Sequence, residues 1–191
     1  PKALHWAYLR KHCPTRPIIT RLGRENDLKV RVYPHDVIGR FIYIDGLFEA
    51  AECRLVTNYL EKGMIFFDVG ANLGQYTLLA ANRVGPAGRV HSFEPSSRMF
   101  TELKYNVELN GFSGICTLNR VAVSSTEGSA KLSVYEPGAE VFGSLGSQKW
   151  AANVSIVGYE DVETITLDQY VEAHDIEHVD LTKMDIEGAE L

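Results

Sequence analysis

One stretch constrains this chain more than any other. From Met64 to Val84 an apolar run ends on an acid, turns through two glycines and continues as a helix: MIFFDVGANLGQYTLLAANRV. Met64 to Val69 is apolar apart from Asp68, as expected of a parallel strand buried on both faces. The spacing predicts a helix over Gln75 to Val84, stopped by Gly85-Pro86. Between them, Gly70 allows a sharp turn and close approach to a ligand, and Gly74 lets the helix begin against the strand. The open helix N-terminus offers unpaired N–H groups to an anion. Asp68 at the strand end suits a cation, so the turn as a whole suits a zwitterion.

Glu94 is the second informative acid. It closes a predicted strand, Arg89 to Phe93, and lies twenty residues beyond Gly74. An acid at the end of the second strand of a nucleoside-binding α/β fold can accept both hydroxyl protons of a ribose. Ser96 or Ser97 then caps a second helix, with Met99, Leu103 and Val107 on one face and Gly111 closing it. Ile115 to Leu118 and Val121 to Val123 predict a third strand or its continuation, and Lys131 to Tyr135 an additional one. Glu136 to Tyr159 is irregular and reads as a flap. Val162 to Leu167 leads into a short helix from Asp168, and Val179 to Met184 is a further buried strand. Strands alternating with helices predict βαβ units on a parallel sheet, an α/β fold.

Ahead of this core, Leu28 to Tyr33 alternates and Phe41 to Ile44 is a short apolar run, so the two predict a β-hairpin. A helix follows, with Ala51, Leu55, Val56, Tyr59 and Leu60 on one face and Gly63 at its end. The expected organisation is a basic segment over residues 1–26, hairpin and helix over 27–63, and a ligand-binding domain over 64–191. The basic segment reads as solvated and is given no function.

Composition narrows the classes. With 191 residues, 45% of them hydrophobic, one sizeable core is available but not two. A net charge of -6 argues against a nucleic-acid binder, whose affinity rests on basic residues facing phosphates. Cys13, Cys53 and Cys116 lack paired spacing and read as reduced thiols of a cytoplasmic protein. No apolar run nears the roughly 20 residues of a membrane span. Asp180 and Asp185 begin and end one strand, about 15 Å apart at strand rise, so they cannot share an ion, and no metal is expected. His174 and His178 flank a turn and read as surface residues.

A nicotinamide or flavin dehydrogenase competes for the glycine turn, but Asn72 stands where its second glycine would meet a pyrophosphate. The spacing Asp-x-Gly-x-Asn-x-Gly instead resembles motif I of class I methyltransferases. Together, FDVGANLGQYTLLAA (67–81), FEPSSRMFTELKYNVELNG (93–111), LDQY (167–170) and KMDIEGAE (183–190) resemble the FkbM family, over roughly Asp45 to Leu191. Leu73 departs from the Ile common in relatives.

The resemblance implies S-adenosylmethionine as cofactor and O-methylation of a hydroxyl on a small molecule, sugar or glycan. It implies that Asp68, Gly70, Asn72 and Gly74 line the methionyl end, that Glu94 holds the ribose, that Pro95 and Ser96 border the adenosine, and that Ala122 and Val123 lie near adenine. Asp185 is expected nearest the methyl group and the acceptor. A hydroxyl acceptor must lose a proton, and Asp185 and Glu187 are the candidate general bases, with Asp185 favoured by its place at a strand end. An oxidoreductase and a non-catalytic cofactor-binding module remain as alternatives. The class I sheet implies the Rossmann-like order 3-2-1-4 here, with later strands beyond Leu191, so the expected chain is a fragment open at its carboxyl end.

Overall fold

The computed structural model describes residues 13–14, 16–23, 27–135 and 156–186. Four parallel strands form the central sheet: β3 (Ile65–Val69), β4 (Arg89–Phe93), β5 (Cys116–Asn119) and β9 (Leu181–Met184), in the order β5-β4-β3-β9. This is the expected 3-2-1-4 arrangement. β3 sits inside it, with Asp68 opposite Ser92 on one side and Lys183 on the other. Its continuous apolar character follows from burial on both faces. Phe66 joins one core with Leu78, Ala81, Leu103 and Val107, while Phe67 and Val69 join a second with Phe93, Val123 and Tyr170.

The crossover after β3 is α3 (Gln75–Val84), and the one after β4 is α4 (Ser97–Leu109). Ser96 caps α4, its hydroxyl accepting from the Met99 N–H at 3.3 Å. Under the other face, α5 (Leu167–Ala173) presents Tyr170, whose hydroxyl lies 2.8 Å from His91 Nδ1 and accepts from Asn119 at 3.1 Å. His174, exposed at the end of α5, stacks on the Tyr170 ring.

Two expectations require correction. A hairpin exists, but β2 (Lys29–Val32) pairs antiparallel with β1 (Ile18–Arg21), upstream of it, and so reaches into the segment expected to be a solvated arm. Residues expected as its second strand lie instead in α1 (Val37–Asp45). Ile38 and Ile42 are four apart, so helical phase places both against the main core, which the short Phe41 to Ile44 run concealed. α2 (Ala50–Tyr59) follows where the sequence predicts a helix. Its buried face, however, is Cys53 and Val56 with Leu60 just beyond, three and four residues apart, while Leu55 and Tyr59 of the expected face are exposed.

Second, Ala122–Val123 does not continue the third strand. As β6 it pairs parallel with β8 (Ile156–Ile165), which also pairs antiparallel with β7 (Gly128–Tyr135), giving a second sheet in the order β6-β8-β7. Residues 156–159, expected in an irregular flap, are therefore strand. The remainder of that stretch, 136–155, lies outside the described residues.

The outer edge of β2 is satisfied by side chains rather than by another strand. Asn106 on α4 accepts from the Arg31 N–H at 2.7 Å and donates to the Leu73 carbonyl at 2.9 Å. Asn110 accepts from the Lys29 N–H at 2.9 Å and donates to the Lys29 carbonyl at 2.7 Å, and Glu102 accepts from Arg31 Nε at 2.7 Å. The hairpin is thus tied through α4 to the glycine turn. Asn106 is fully buried, so Asn106→Ala strands a backbone N–H and a carbonyl, and should cost about 2–4 kcal/mol. A urea titration showing an unchanged midpoint would contradict this.

Candidate functional site

The carboxyl ends of the four parallel strands converge on one pocket. Following the sheet order, Ala122 and Val123 come after β5, Glu94 after β4, the Gly70 turn after β3 and Asp185 after β9. A crevice at this end is where open α/β sheets bind ligands.

The turn is built by close backbone contact. Gly70 has φ +78°, and a Cβ there would overlap the Asp185 carbonyl oxygen. Gly74 begins α3 at φ +96°, against Leu103. Asn72 also adopts the left-handed region, φ +51°, which Asn tolerates better than most residues. Its side-chain oxygen accepts from the Leu73 N–H at 2.8 Å, while its own N–H donates to Glu94 Oε2 at 2.7 Å. The Ser96 N–H donates to Glu94 Oε1 at 2.9 Å. Glu94 is therefore held from both sides with lone pairs left over. Burial raises its pKa to about 7, against the stabilising pull of those two N–H groups.

Asp68 stands apart. It is fully buried beneath the turn and does not line the pocket. Oδ2 accepts from Thr77 Oγ1 at 2.6 Å, and Thr77 lies 2.8 Å from Ser92 Oγ. Oδ1 has no hydrogen-bond partner among the described residues, its nearest cation being Lys183 Nζ at 4.0 Å. Burial pushes the Asp68 carboxyl above its ordinary pKa, with Lys183 the largest opposing influence. Gly74 is likewise not part of the pocket lining, whereas Gly70, Asn72, Glu94, Pro95, Ser96, Ala122, Val123 and Asp185 are. Glu187 lies outside the described residues.

Lys183 is the residue that sequence reasoning missed. Its ammonium donates to the Gly70 carbonyl at 3.1 Å and lies 3.7 Å from Asp185 Oδ2. The available signal was its position two residues before Asp185, on the same face of a strand expected to be buried, where an ammonium needs a reason to be. In the described sheet β9 is instead an edge strand of alternating half-buried and exposed residues, with Met184 exposed. Ile38, Phe48, Glu49 and Tyr76 also line the pocket, as does Leu132 from the second sheet. Among the described residues no cluster of His, Cys, Asp and Glu could hold a metal ion.

Residues 68–191 match the methyltransferase FkbM domain. The chain belongs to the FkbM methyltransferase family. Hexuronic acid methyltransferase AglP of Haloferax volcanii is 28% identical over 138 residues, which are 72% of this chain and 52% of that protein. The chain thus spans about half the length of this curated relative. Among solved structures, a SAM-dependent O-methyltransferase from Thermotoga maritima covers 56% of this chain and 40% of its own at 18% identity, TM-score 0.37. A Pyrococcus abyssi tRNA (uracil-54, C5)-methyltransferase bound to S-adenosyl-L-homocysteine covers 53% and 23% at 18% identity, TM-score 0.39. Likeness at that level bears on neither site nor substrate.

S-adenosylmethionine is the cofactor of the FkbM family, and the residues present fit it. Glu94 retains acceptor capacity toward the pocket, Gly70 leaves room for a close backbone approach, and Ala122, Val123 and Leu132 offer an apolar surface for a base. If Glu94 accepts two ribose hydroxyls, as the family resemblance implies, it must be ionised. With its pKa raised to about 7, the free site is increasingly protonated as pH falls below that value. Cofactor affinity should therefore weaken by up to about tenfold per pH unit below 7, with proton release on binding. Calorimetry in buffers of different ionisation enthalpy checks this, and a flat profile between pH 5 and 8 would remove Glu94 from the ribose.

Proposed function

We propose that this chain is the cofactor-binding and catalytic portion of an S-adenosylmethionine-dependent methyltransferase that methylates a hydroxyl of a small molecule, sugar or glycan. The observation that carries the reading is the order of groups along one pocket: an apolar surface after β5, Glu94 after β4, the tight turn after β3 and Asp185 after β9. The cofactor, when bound, supplies an electrophilic methyl group on a sulfonium. The protein's part is then to align the acceptor and to take its proton.

Glu94, Pro95 and Ser96 hold the nucleoside side in this reading. Asp185, half exposed and adjacent to Lys183, faces the acceptor and receives the hydroxyl proton. The name of the Haloferax relative favours a sugar acid among possible acceptors. The net charge of -6 disfavours a nucleic acid. A dehydrogenase is disfavoured by Asn72, whose N–H is already committed to Glu94.

The test is transfer of labelled methyl from S-adenosylmethionine to hexuronic acids, neutral sugars, glycans and, as a control, RNA, using the full-length protein. Label in the sugar or glycan fractions is the expected result. Label in RNA alone would redirect the acceptor class. Cofactor binding with no transfer to any acceptor would favour a non-catalytic binding module.

A further inference from the structure

If the pocket takes S-adenosylmethionine, as proposed above, the ammonium of its amino-acid end needs a carboxylate. Asp68, the acid that sequence reasoning gave this role, is fully buried under the turn and does not line the pocket. Asp185 lines it, but faces the Lys183 ammonium at 3.7 Å. A third acid lines the pocket from outside the matched family region: Glu49, in the link between α1 and α2.

Glu49 is an unusual residue for its position. It precedes α2 with φ +49° and ψ +55°, a left-handed conformation seldom adopted by Glu, and makes no side-chain cap hydrogen bond to that helix. Its side chain turns instead to α3, where Oε2 accepts from the Tyr76 hydroxyl at 3.0 Å. The Lys183 ammonium lies 5.1 Å from the centre of the Tyr76 ring, which places Glu49 on the β9 side of the turn, away from Ala122 and Val123. The preceding residue is fixed to the same helix: the Phe48 N–H donates to Gln75 Oε1 at 2.8 Å, and its carbonyl accepts from Gln75 Nε2 at 2.9 Å. Among the described residues Glu49 forms no ion pair within 4.0 Å, and its hydrogen-bond partner, the Tyr76 hydroxyl, is neutral.

We infer that Glu49 is a cofactor-binding residue that receives the ammonium of the methionyl group. The N-terminal unit thereby completes the site, and the Gln75 clamp keeps the carboxylate in place before the ligand arrives.

The experiment compares two ligands on the full chain by calorimetry: S-adenosylhomocysteine, which carries the amino-acid end, and 5′-methylthioadenosine, which lacks it. Glu49→Gln keeps the side-chain shape and an acceptor for Tyr76. It should weaken S-adenosylhomocysteine about tenfold and leave 5′-methylthioadenosine unchanged. Glu49→Asn, which suits the left-handed backbone, should give the same split without loss of thermal stability. Equal weakening of both ligands, or none for S-adenosylhomocysteine, overturns the inference. A parent protein that binds neither ligand overturns the cofactor reading itself, and this inference with it.

Discussion

Replacing Glu94 by alanine is expected to weaken S-adenosylmethionine binding by about 10²-fold or more. Two effects add. In the proposed site the ribose loses two charge-assisted hydrogen bonds, each worth roughly 1.5–3 kcal/mol. The Asn72 and Ser96 N–H groups, now at 2.7 and 2.9 Å from the carboxylate, lose their acceptor as well, and the turn loses its anchor to the end of β4. Glu94→Gln separates the two, because its amide oxygen can still accept one N–H while the charge is gone; it should fall between alanine and the parent. Isothermal titration of both variants makes the measurement, with thermal melts to confirm folding. Parent-like affinity in Glu94→Ala would leave the ribose without its assigned partner.

Asp185→Asn is expected to slow turnover by about 10²–10⁴-fold while changing cofactor affinity little. The substitution keeps the shape of a residue whose backbone holds the turn, since the Asp185 N–H donates to the Val69 carbonyl at 3.0 Å and its carbonyl lies against Gly70. What it removes is the basic oxygen and the ion pair with Lys183. Single-turnover methyl transfer on a hydroxyl acceptor, beside a cofactor titration, checks the prediction. An unchanged rate would shift proton removal to Glu187 or to solvent. A rate loss matched by an equal loss of affinity would make Asp185 a cofactor ligand.

The sequence by itself determined those parts that depend on neighbours in the chain. The run from Met64 to Val84 specified strand, turn and helix because burial on both faces, two glycines and a Gly-Pro stop are all local signals. The place of Glu94 followed for the same reason, since an acid closing the next parallel strand of a βαβ unit must reach the same end of the sheet. Short-range pattern did not determine what β2 would pair with. Phe41 to Ile44 is too short to distinguish a strand from one helical turn, and the choice fell to Ile38 and Ile42 packing into the main core. Nor did it show that Ala122 and Val123, separated from β5 by two residues, leave its sheet for partners 42 residues downstream.

The division is clearest around Asp68. Its position at a strand end was legible, but its exposure depends on Thr77 above it and Lys183 across the sheet, 115 residues away in the chain. Those contacts leave Asp68 fully buried and off the pocket lining. Lys183 and Glu49 come to the pocket the same way, one through parallel pairing of β9 with β3, the other through the Gln75 clamp on Phe48. Local periodicity encodes which face of an element is apolar; which distant charge will lie opposite a given carboxylate is set only when the elements pack, and that was decided by the tertiary structure.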